Sequence, residues 1–412
     1  MKVAVVGLGN EGKNALKSLL NRGHHVYASD MNKNIELDHS NCADVDLGYH
    51  DLRRISSADA VVLSPGLWNS ELAKKIRSKT KTLSDVLKNH KSIFTIGVTG
   101  TNGKTTTSFM IKEILENAGL NVLIGGNAGG GFKGYTELIL EASSESSNYD
   151  VMVVEVCDMT LDFCDQTFDF DVVVATNIGH DHLNFHKSIE NYGKSVCKFL
   201  KGKKAVLNEK DKFLSKMKDC ADETFFFDRY SGELNIFGEF NRQNAAAALN
   251  AVKILKIPEK DAEEALKNFR GVEGRTSTLK IQGSNVVIGK TDNVDATAAV
   301  FNEVKFDVIV IGTPRKGENC RFNTLKEVSR VNPQIAAIFP GLDNTTDLAL
   351  EVLVDSGYGG RIEVLKNVEE VVNFTLTCVE HYKNIFIGGN GQKRLIEIQN
   401  ALYERLSCNN AS

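Results

Sequence analysis

A lysine closing a run of glycines and hydroxyls carries the strongest chemical signal in the chain: Thr99-Gly100-Thr101-Asn102-Gly103-Lys104-Thr105-Thr106. An apolar run at 94–98 precedes it and a helical pattern over 108–118 follows. A loop in that setting aims backbone N–H groups and a helix N-terminus at phosphate oxygens. Lys104 is then placed to neutralise the β- and γ-phosphates of ATP, and the Thr105 hydroxyl to sit on Mg²⁺. The pattern is not a strict Walker A, because Val98 occupies the place of its first glycine. A glycine-rich turn with an incidental lysine is the alternative, and the flanking strand and helix weigh against it.

A second glycine run, Gly7-Leu8-Gly9-Asn10-Glu11-Gly12, follows an apolar stretch at 3–6, with Asp30 at the end of the next expected strand, 25–29. By itself this reads as a dinucleotide fingerprint in which the carboxylate bonds a ribose hydroxyl. A dehydrogenase would need a nicotinamide site as well, and nothing in the chain points to one. Glu155 comes directly after the apolar run 151–154, and Asp181 and His182 come after the run 172–175. Neighbouring parallel strands bring their C-terminal ends to one crevice, where a carboxylate and an imidazole can hold a divalent ion against a transferring phosphate. His180 and His186 raise a three-histidine zinc site with His182, although Mg²⁺ with ATP already accounts for the cluster; capped or salt-bridged surface residues are the bland reading. Asn241 and Asn244 open an alanine-rich helical run, 241–255, and their spacing puts both on one face, where they can meet adenine or ribose edges. Helix capping is the alternative for Asn241.

The elements that must position these groups alternate. Short β-branched runs at 3–6, 60–63, 93–98, 151–154, 172–175, 308–311 and 385–387 are separated by longer helical patterns, the signature of β-α-β units and parallel sheets. Two phosphate-type glycine loops in one sheet are unusual, so a domain boundary is expected near residues 89–92. A second is expected near 270–273, giving segments 1–90, 91–270 and 271–412. The 412 residues are 42% hydrophobic and 25% charged, an ordinary globular balance that fits two to four domains. A net charge of −4 does not favour nucleic acid as a partner. The eight cysteines are scattered with no C-x-x-C pair, which favours reduced thiols over a disulfide framework. The apolar opening is broken at Gly7, too early for a signal segment or a membrane span, so a cytoplasmic protein is expected.

The run from Gly97 to Thr106 resembles the nucleotide-binding signature of the Mur ligases and their folylpolyglutamate synthetase relatives, and later segments match in order along nearly the whole chain. The resemblance implies an α/β protein of three domains: a Rossmann-like, UDP-precursor-binding N-terminal domain, a P-loop central domain and a Rossmann-like C-terminal domain that takes the amino acid. It implies an ADP-forming ligase that makes an acyl phosphate from a carboxylate and ATP, which an incoming amine attacks. ATP and Mg²⁺ are the implied cofactors, and a UDP-linked cell-wall precursor and an amino acid the implied substrates; a monomer is favoured. Within the family, Gly7, Gly9 and Gly12 with Ser64-Pro65-Gly66 resemble the D-glutamate-adding branch, where the glycines approach a UDP diphosphate and Asp30 would bond the uracil.

The same resemblance assigns further residues. Gly126-Asn127-Ala128-Gly129 is similar to the family's G-N-x-G loop, which places Asn127 by the reacting phosphate and carboxylate; an exposed Asn-Gly turn is the plainer reading. Asp181-His182-Leu183 matches the D-H motif, making Glu155 and His182 ligands of a second magnesium. Arg275 corresponds to the arginine that reaches the ATP phosphates. The turn holding Lys290, Asp292 and Asn293 resembles one that faces the incoming amino acid. For Arg315 and Lys316, solvated surface is as fair a reading as substrate contact. The chain also departs from the pattern. The lysine that is carbamylated in many members falls on Val196, with Lys194 and Lys198 two residues to either side, so its absence is expected. Phe240 replaces a histidine, and Ile288 or Gly289 stands where an acidic residue usually opens the turn at Lys290. These departures suggest a divergent member, such as an archaeal pseudomurein-peptide ligase. A folylpolyglutamate-type ligase and a non-ligating ATP-binding switch protein are the competing readings.

Overall fold

The computed structural model describes residues 1–37, 44–127, 132–341, 343–389 and 391–409. Among them the chain forms three sheets. β1 (Lys2–Val6), β2 (His25–Asp30), β3 (Asp44–Leu47) and β4 (Ala60–Leu63) make a parallel sheet in the order β3-β2-β1-β4. β5 (Phe94–Thr99), β6 (Val122–Gly126), β7 (Val151–Glu155), β8 (Val172–Ala175), β9 (Lys204–Asn208) and β10 (Glu223–Phe227) make a second parallel sheet, β10-β9-β8-β5-β7-β6. β11 (Ser277–Ile281), β12 (Ser284–Lys290), β13 (Val308–Gly312), β14 (Ile335–Phe339), β15 (Arg361–Val364) and β16 (Asn384–Gly389) form the third, β11-β12-β16-β13-β14-β15. The chain is an α/β protein built on parallel sheets, as its alternating pattern predicts.

The third sheet breaks that pattern once. β11 and β12 pair antiparallel through Gln282 and Gly283, both with positive φ. Two consecutive left-handed residues give the twist of a tight hairpin, so this segment needs no crossover helix.

By compactness the chain falls into two units. One comprises Met1–Ile178, Phe185–Tyr230 and Asn244–Leu266; the other comprises Gly179–Asn184, Ser231–Gln243 and Lys267–Ser412. In the first unit, the first and second sheets contribute to one apolar cluster, running from Val3 and Leu16 to Phe170 and Phe199. In the second, the two faces of the third sheet bury separate clusters, one around Val308 and Ile387 and one around Ile309 and Phe386. Alternate residues of a strand face opposite sides, which is why Val308 and Ile309 part company. No helix among the described residues is long and apolar enough to cross a membrane.

The cysteine expectation needs a correction. Cys197, on the helix Ile189–Leu200, and Cys220, in the turn Lys218–Cys220, form a disulfide with Cα atoms 5.1 Å apart. A pair 23 residues apart with no motif around it leaves no spacing signal, and only the tertiary fold brings the two together. Cys157, Cys164, Cys320 and Cys378 are free thiols; burial, opposed in part by a hydroxyl from Thr160, pushes the Cys164 thiol up to about 12.

Candidate active site

In the first unit the helix Lys104–Asn117 begins on the loop lysine itself, four residues earlier than its apolar pattern suggests. Gly103 has φ +86°, and a Cβ there would meet Asn244 Oδ1 at 2.2 Å; a Cβ on Gly100 would meet the Thr176 hydroxyl at 2.1 Å. Both positions therefore demand glycine. The loop is held from below by residues the sequence did not single out. Asn177 accepts from the Thr101 N–H through its carbonyl (2.9 Å) and from the Asn102 N–H through Oδ1 (2.9 Å). Its amide and the Thr176 hydroxyl both donate to the Asn102 carbonyl, at 3.0 and 2.6 Å.

The N–H groups of Thr101 and Asn102 shape the loop. The N–H groups of a helix's first turn have no intrahelical acceptors, and here that turn begins with Lys104, Thr105 and Thr106. The Lys104 amine is folded back onto the Gly100 and Thr101 carbonyls, at 2.7 and 2.9 Å.

Behind the lysine, the Thr105 hydroxyl donates to Glu155 Oε2 at 2.6 Å. Glu155 ends β7, the strand beside β5, and is only 1% exposed. Among the described residues no lysine, arginine or histidine pairs with this carboxylate. A buried carboxylate beside a hydroxyl is an oxygen donor set that suits Mg²⁺. Asn127 continues from β6, and its N–H donates to the Glu155 carbonyl at 3.0 Å; Ala128 and Gly129 of its loop lie outside the described residues.

His182 sits in the segment Gly179–Asn184 of the second unit, on left-handed backbone with φ 51°. Its N–H donates to Asp181 Oδ1 (3.0 Å), and its Nε2 lies 3.9 Å from Asp181 Oδ2. The three-histidine zinc alternative finds no support. His186 in the first unit is buried against Asp158 at 2.8 Å and stacks on Tyr192, while His180 lies 3.7 Å from Asp295 in the second. At the lysine-equivalent position Val196 is fully buried, whereas Lys194 and Lys198 are exposed, the latter 2.7 Å from Asp162.

The glycine loop of the first sheet is built differently. Gly7 has φ +90°, and a Cβ on Gly12 would come within 1.8 Å of the Gly7 carbonyl oxygen, so the third glycine lets the helix Asn10–Asn21 close on the loop. Gly7 and Gly9 line a cavity of about 240 Å³ with Asp30, Met31, His50, Ser64, Gly66 and Leu67. Pro65 starts the short turn Pro65–Leu67 that shapes one wall. Asp30 does not present an empty carboxylate: Oδ2 accepts from the Leu8 N–H (2.6 Å) and Oδ1 from the Asn32 N–H (2.8 Å). Glu11 faces away from the cavity. It is buried and accepts from the Thr136 N–H at 2.8 Å and the Tyr135 N–H at 3.2 Å, capping the helix Tyr135–Ala142.

The asparagines of the alanine-rich helix, Glu239–Lys253, take different places. Asn244 packs against Gly103 in the first unit, and Asn241 donates its amide to the Phe237 carbonyl at 2.7 Å in the second. Asn241 is the third residue of the helix and does not cap it. Phe240, in place of the family histidine, packs with Phe237 against the apolar cluster around Ile309.

In the second unit, β12 ends on Lys290, whose amine lies 3.2 Å from Asp292. Arg321, which the sequence reading missed, reaches Asp181 at 3.2 Å, Asp292 at 3.3 Å and Glu318 at 3.2 Å. Burial alone would raise the Asp292 pKa, but Lys290 and Arg321 overcome it and hold the carboxyl well below the usual range. For Arg321 burial opposes the charge, and the three carboxylates more than compensate, so its pKa is raised. Arg275 adds to the positive field on Asp292.

The acidic residue missing at 289 has a steric explanation: a Cβ there would come within 2.6 Å of the Thr276 hydroxyl and 2.8 Å of its Cα. Asn293, in the turn expected to face the amino acid, caps a helix. Its Oδ1 accepts from the Ala296 N–H at 2.9 Å, capping the helix Val294–Glu303, and the residue is buried. Arg315 and Lys316 are exposed.

A phosphate-type loop on parallel strands, with a lysine and a buried hydroxyl–carboxylate pair at its end, defines an α/β protein built to handle a nucleoside triphosphate. The description "Mur ligase middle domain" matches residues 98–226. The UDP-N-acetylmuramoylalanine–D-glutamate ligase of Petrotoga mobilis is 30% identical over 319 residues, covering 68% of this chain and 70% of that protein. Among solved structures, a pseudomurein peptide ligase type C from Methanothermus fervidus superposes with a TM-score of 0.60 at 22% identity, covering 98% of this chain and 99% of the other. The MurF ligase of Thermotoga maritima in complex with ADP gives 0.64 at 17% identity, covering 98% and 95%. The chain belongs to the Mur ligase family, whose members are ATP-dependent, ADP-forming ligases.

Proposed function

We propose that this protein adds an amino acid, glutamate or another, to a UDP-linked cell-wall peptide precursor of the peptidoglycan or pseudomurein type, in the cytoplasm. ATP would lie on residues 100–106, with Asn241, Asn244 and Arg275 contributing to its hold. The UDP moiety would lie on the glycine loop of the first sheet, against Gly7, Gly9, Gly12, Asp30 and Ser64-Pro65-Gly66, and the amino acid near Lys290. Transfer of the γ-phosphoryl to the precursor carboxylate gives an acyl phosphate and ADP. The amine attacks that carbonyl, an amide forms, and inorganic phosphate leaves.

The observation that carries this reading is the end of the central loop, where Lys104, the first-turn N–H groups and the Thr105–Glu155 pair converge. A swing of the Lys104 amine from the loop carbonyls to a γ-phosphate places a fixed positive charge where negative charge develops. Thr105, Glu155 and His182 are the residues that would hold Mg²⁺, which when bound neutralises charge on the phosphates. Asn127 stands beside Glu155 and would orient the reacting carboxylate.

The test is phosphate release from ATP across a panel of amino acids and UDP-linked precursors, with the product identified by mass spectrometry. Release that depends on both co-substrates and yields an amide is the expected result. Hydrolysis indifferent to both, with no amide product, would overturn the ligase reading in favour of a nucleotide-driven switch.

A further inference from the structure

We propose that His50 reads the base of the nucleotide held on the first sheet, donating a hydrogen bond from Nε2 to a carbonyl of the uracil ring. This rests on the reading that the sheet binds the UDP part of the precursor, and it adds a residue that neither the glycine loop nor the motifs identify.

The order of the strands sets where a nucleoside can lie. The cavity runs along the C-terminal ends of β4, β1, β2 and β3. Ser64 and Gly66 follow β4, Gly7 and Gly9 follow β1, Asp30 and Met31 lie at the end of β2, and His50 lies just beyond β3. Phosphates belong at the glycines and the N-terminus of the helix Asn10–Asn21. In this topology the nucleoside then extends toward the end of β2, and that end is walled by Asp30, Met31 and His50.

A uracil edge presents one N–H between two carbonyls, so it needs both an acceptor and a donor from the protein. Asp30 is a carboxylate and can only accept, although its lone pairs are not exhausted by the Leu8 and Asn32 N–H groups. Met31 offers no donor. Among the described residues lining this end of the cavity, His50 is the side chain that can supply a hydrogen. Its ring is fixed by a 2.8 Å hydrogen bond between Nδ1 and the hydroxyl of Ser29, which is 0% exposed. When the Ser29 hydroxyl donates to Nδ1, the neutral ring carries its proton on Nε2. Nε2 has no protein partner among the described residues. Burial lowers the pKa of His50, against a smaller opposing pull from Asp30, which favours the neutral ring. Met31, 62% exposed despite its apolar side chain, supplies a face for the flat ring beside the two polar groups.

The test is calorimetric titration of the full chain with UDP, and with ribose 5-phosphate, which lacks the base, after ADP has filled the central loop. Loss of one hydrogen bond to the base predicts UDP binding weakened about tenfold in His50→Ala, with ribose 5-phosphate unaffected. His50→Gln, which keeps an N–H donor, should recover part of the affinity and also serves if the alanine variant folds poorly. Equal UDP affinity in wild type and both variants would overturn the inference, as would an equal loss for the ligand without a base. Wild-type protein that ignores UDP would instead remove the nucleotide reading of the first sheet, and the role of His50 with it.

Discussion

Two glycine loops in the first unit start from the same geometry and end in different chemistry. Each follows a buried parallel strand, each begins with a positive-φ glycine, and each leads into a helix. At the central loop the helix starts on Lys104, and the carboxylate behind it, Glu155, is buried and accepts from the Thr105 hydroxyl. At the first loop the lysine that follows the glycines, Lys13, is exposed and donates to the Glu36 carbonyl at 2.9 Å, and the loop's carboxylate, Glu11, is turned to cap the helix Tyr135–Ala142. The comparison teaches that one turn geometry can carry differently placed charges; on the proposed reading those charges decide whether a phosphate is transferred or merely held.

Lys104→Ala should break the contrast most severely. Removing the mobile charge should lower turnover by ~10²-fold or more, measured as phosphate release, with UDP affinity unchanged by calorimetry. A normal rate would put the two loops on the same footing and defeat the assignment. Gly12→Ala should come next: its Cβ must push against the Gly7 carbonyl, a rigid backbone group. The expected cost is about 3 kcal/mol in a urea melt, with UDP binding lost before ATP binding. Glu11→Ala leaves two buried N–H groups unanswered and should cost about 1–2 kcal/mol.

The smallest effect expected concerns pH. Burial raises the Glu11 pKa above its ordinary 4.5, although the Thr136 and Tyr135 N–H groups pull the other way. The folded protein thus holds this proton more tightly than the unfolded chain. Its contribution to stability is fully present below 4.5 and is lost as pH rises through the folded pKa. In Glu11→Gln that decline should flatten. An identical pH–stability profile in wild type and variant would show that the carboxyl does not feel its burial.

The central loop was legible because an apolar run, glycines, a lysine and a helical pattern occur in direct succession. The elements that support it were not. Asn177 is fixed to Asn102 from 75 residues away, and nothing in the local sequence marks it as a loop anchor. Arg321 was invisible for the same reason, since Asp181 lies 140 residues distant and a solitary arginine reads as surface. The strand Asp44–Leu47 was missed because it alternates polar and apolar residues over only four positions and contains no apolar run. Asp30 and Asn293 were picked out by motif, while the backbone N–H groups that engage their side-chain oxygens are visible only in the fold.

The sulfur bridge between Cys197 and Cys220 encloses β9. A covalent ring of this size withholds about 3 kcal/mol of chain freedom from the unfolded ensemble, and it does so beside a helix that carries no family lysine. Thiol reductant in a buffer therefore becomes a stability variable. Reduced and oxidised samples will melt as two different molecules, and kinetic comparisons between laboratories will depend on which one was in the tube.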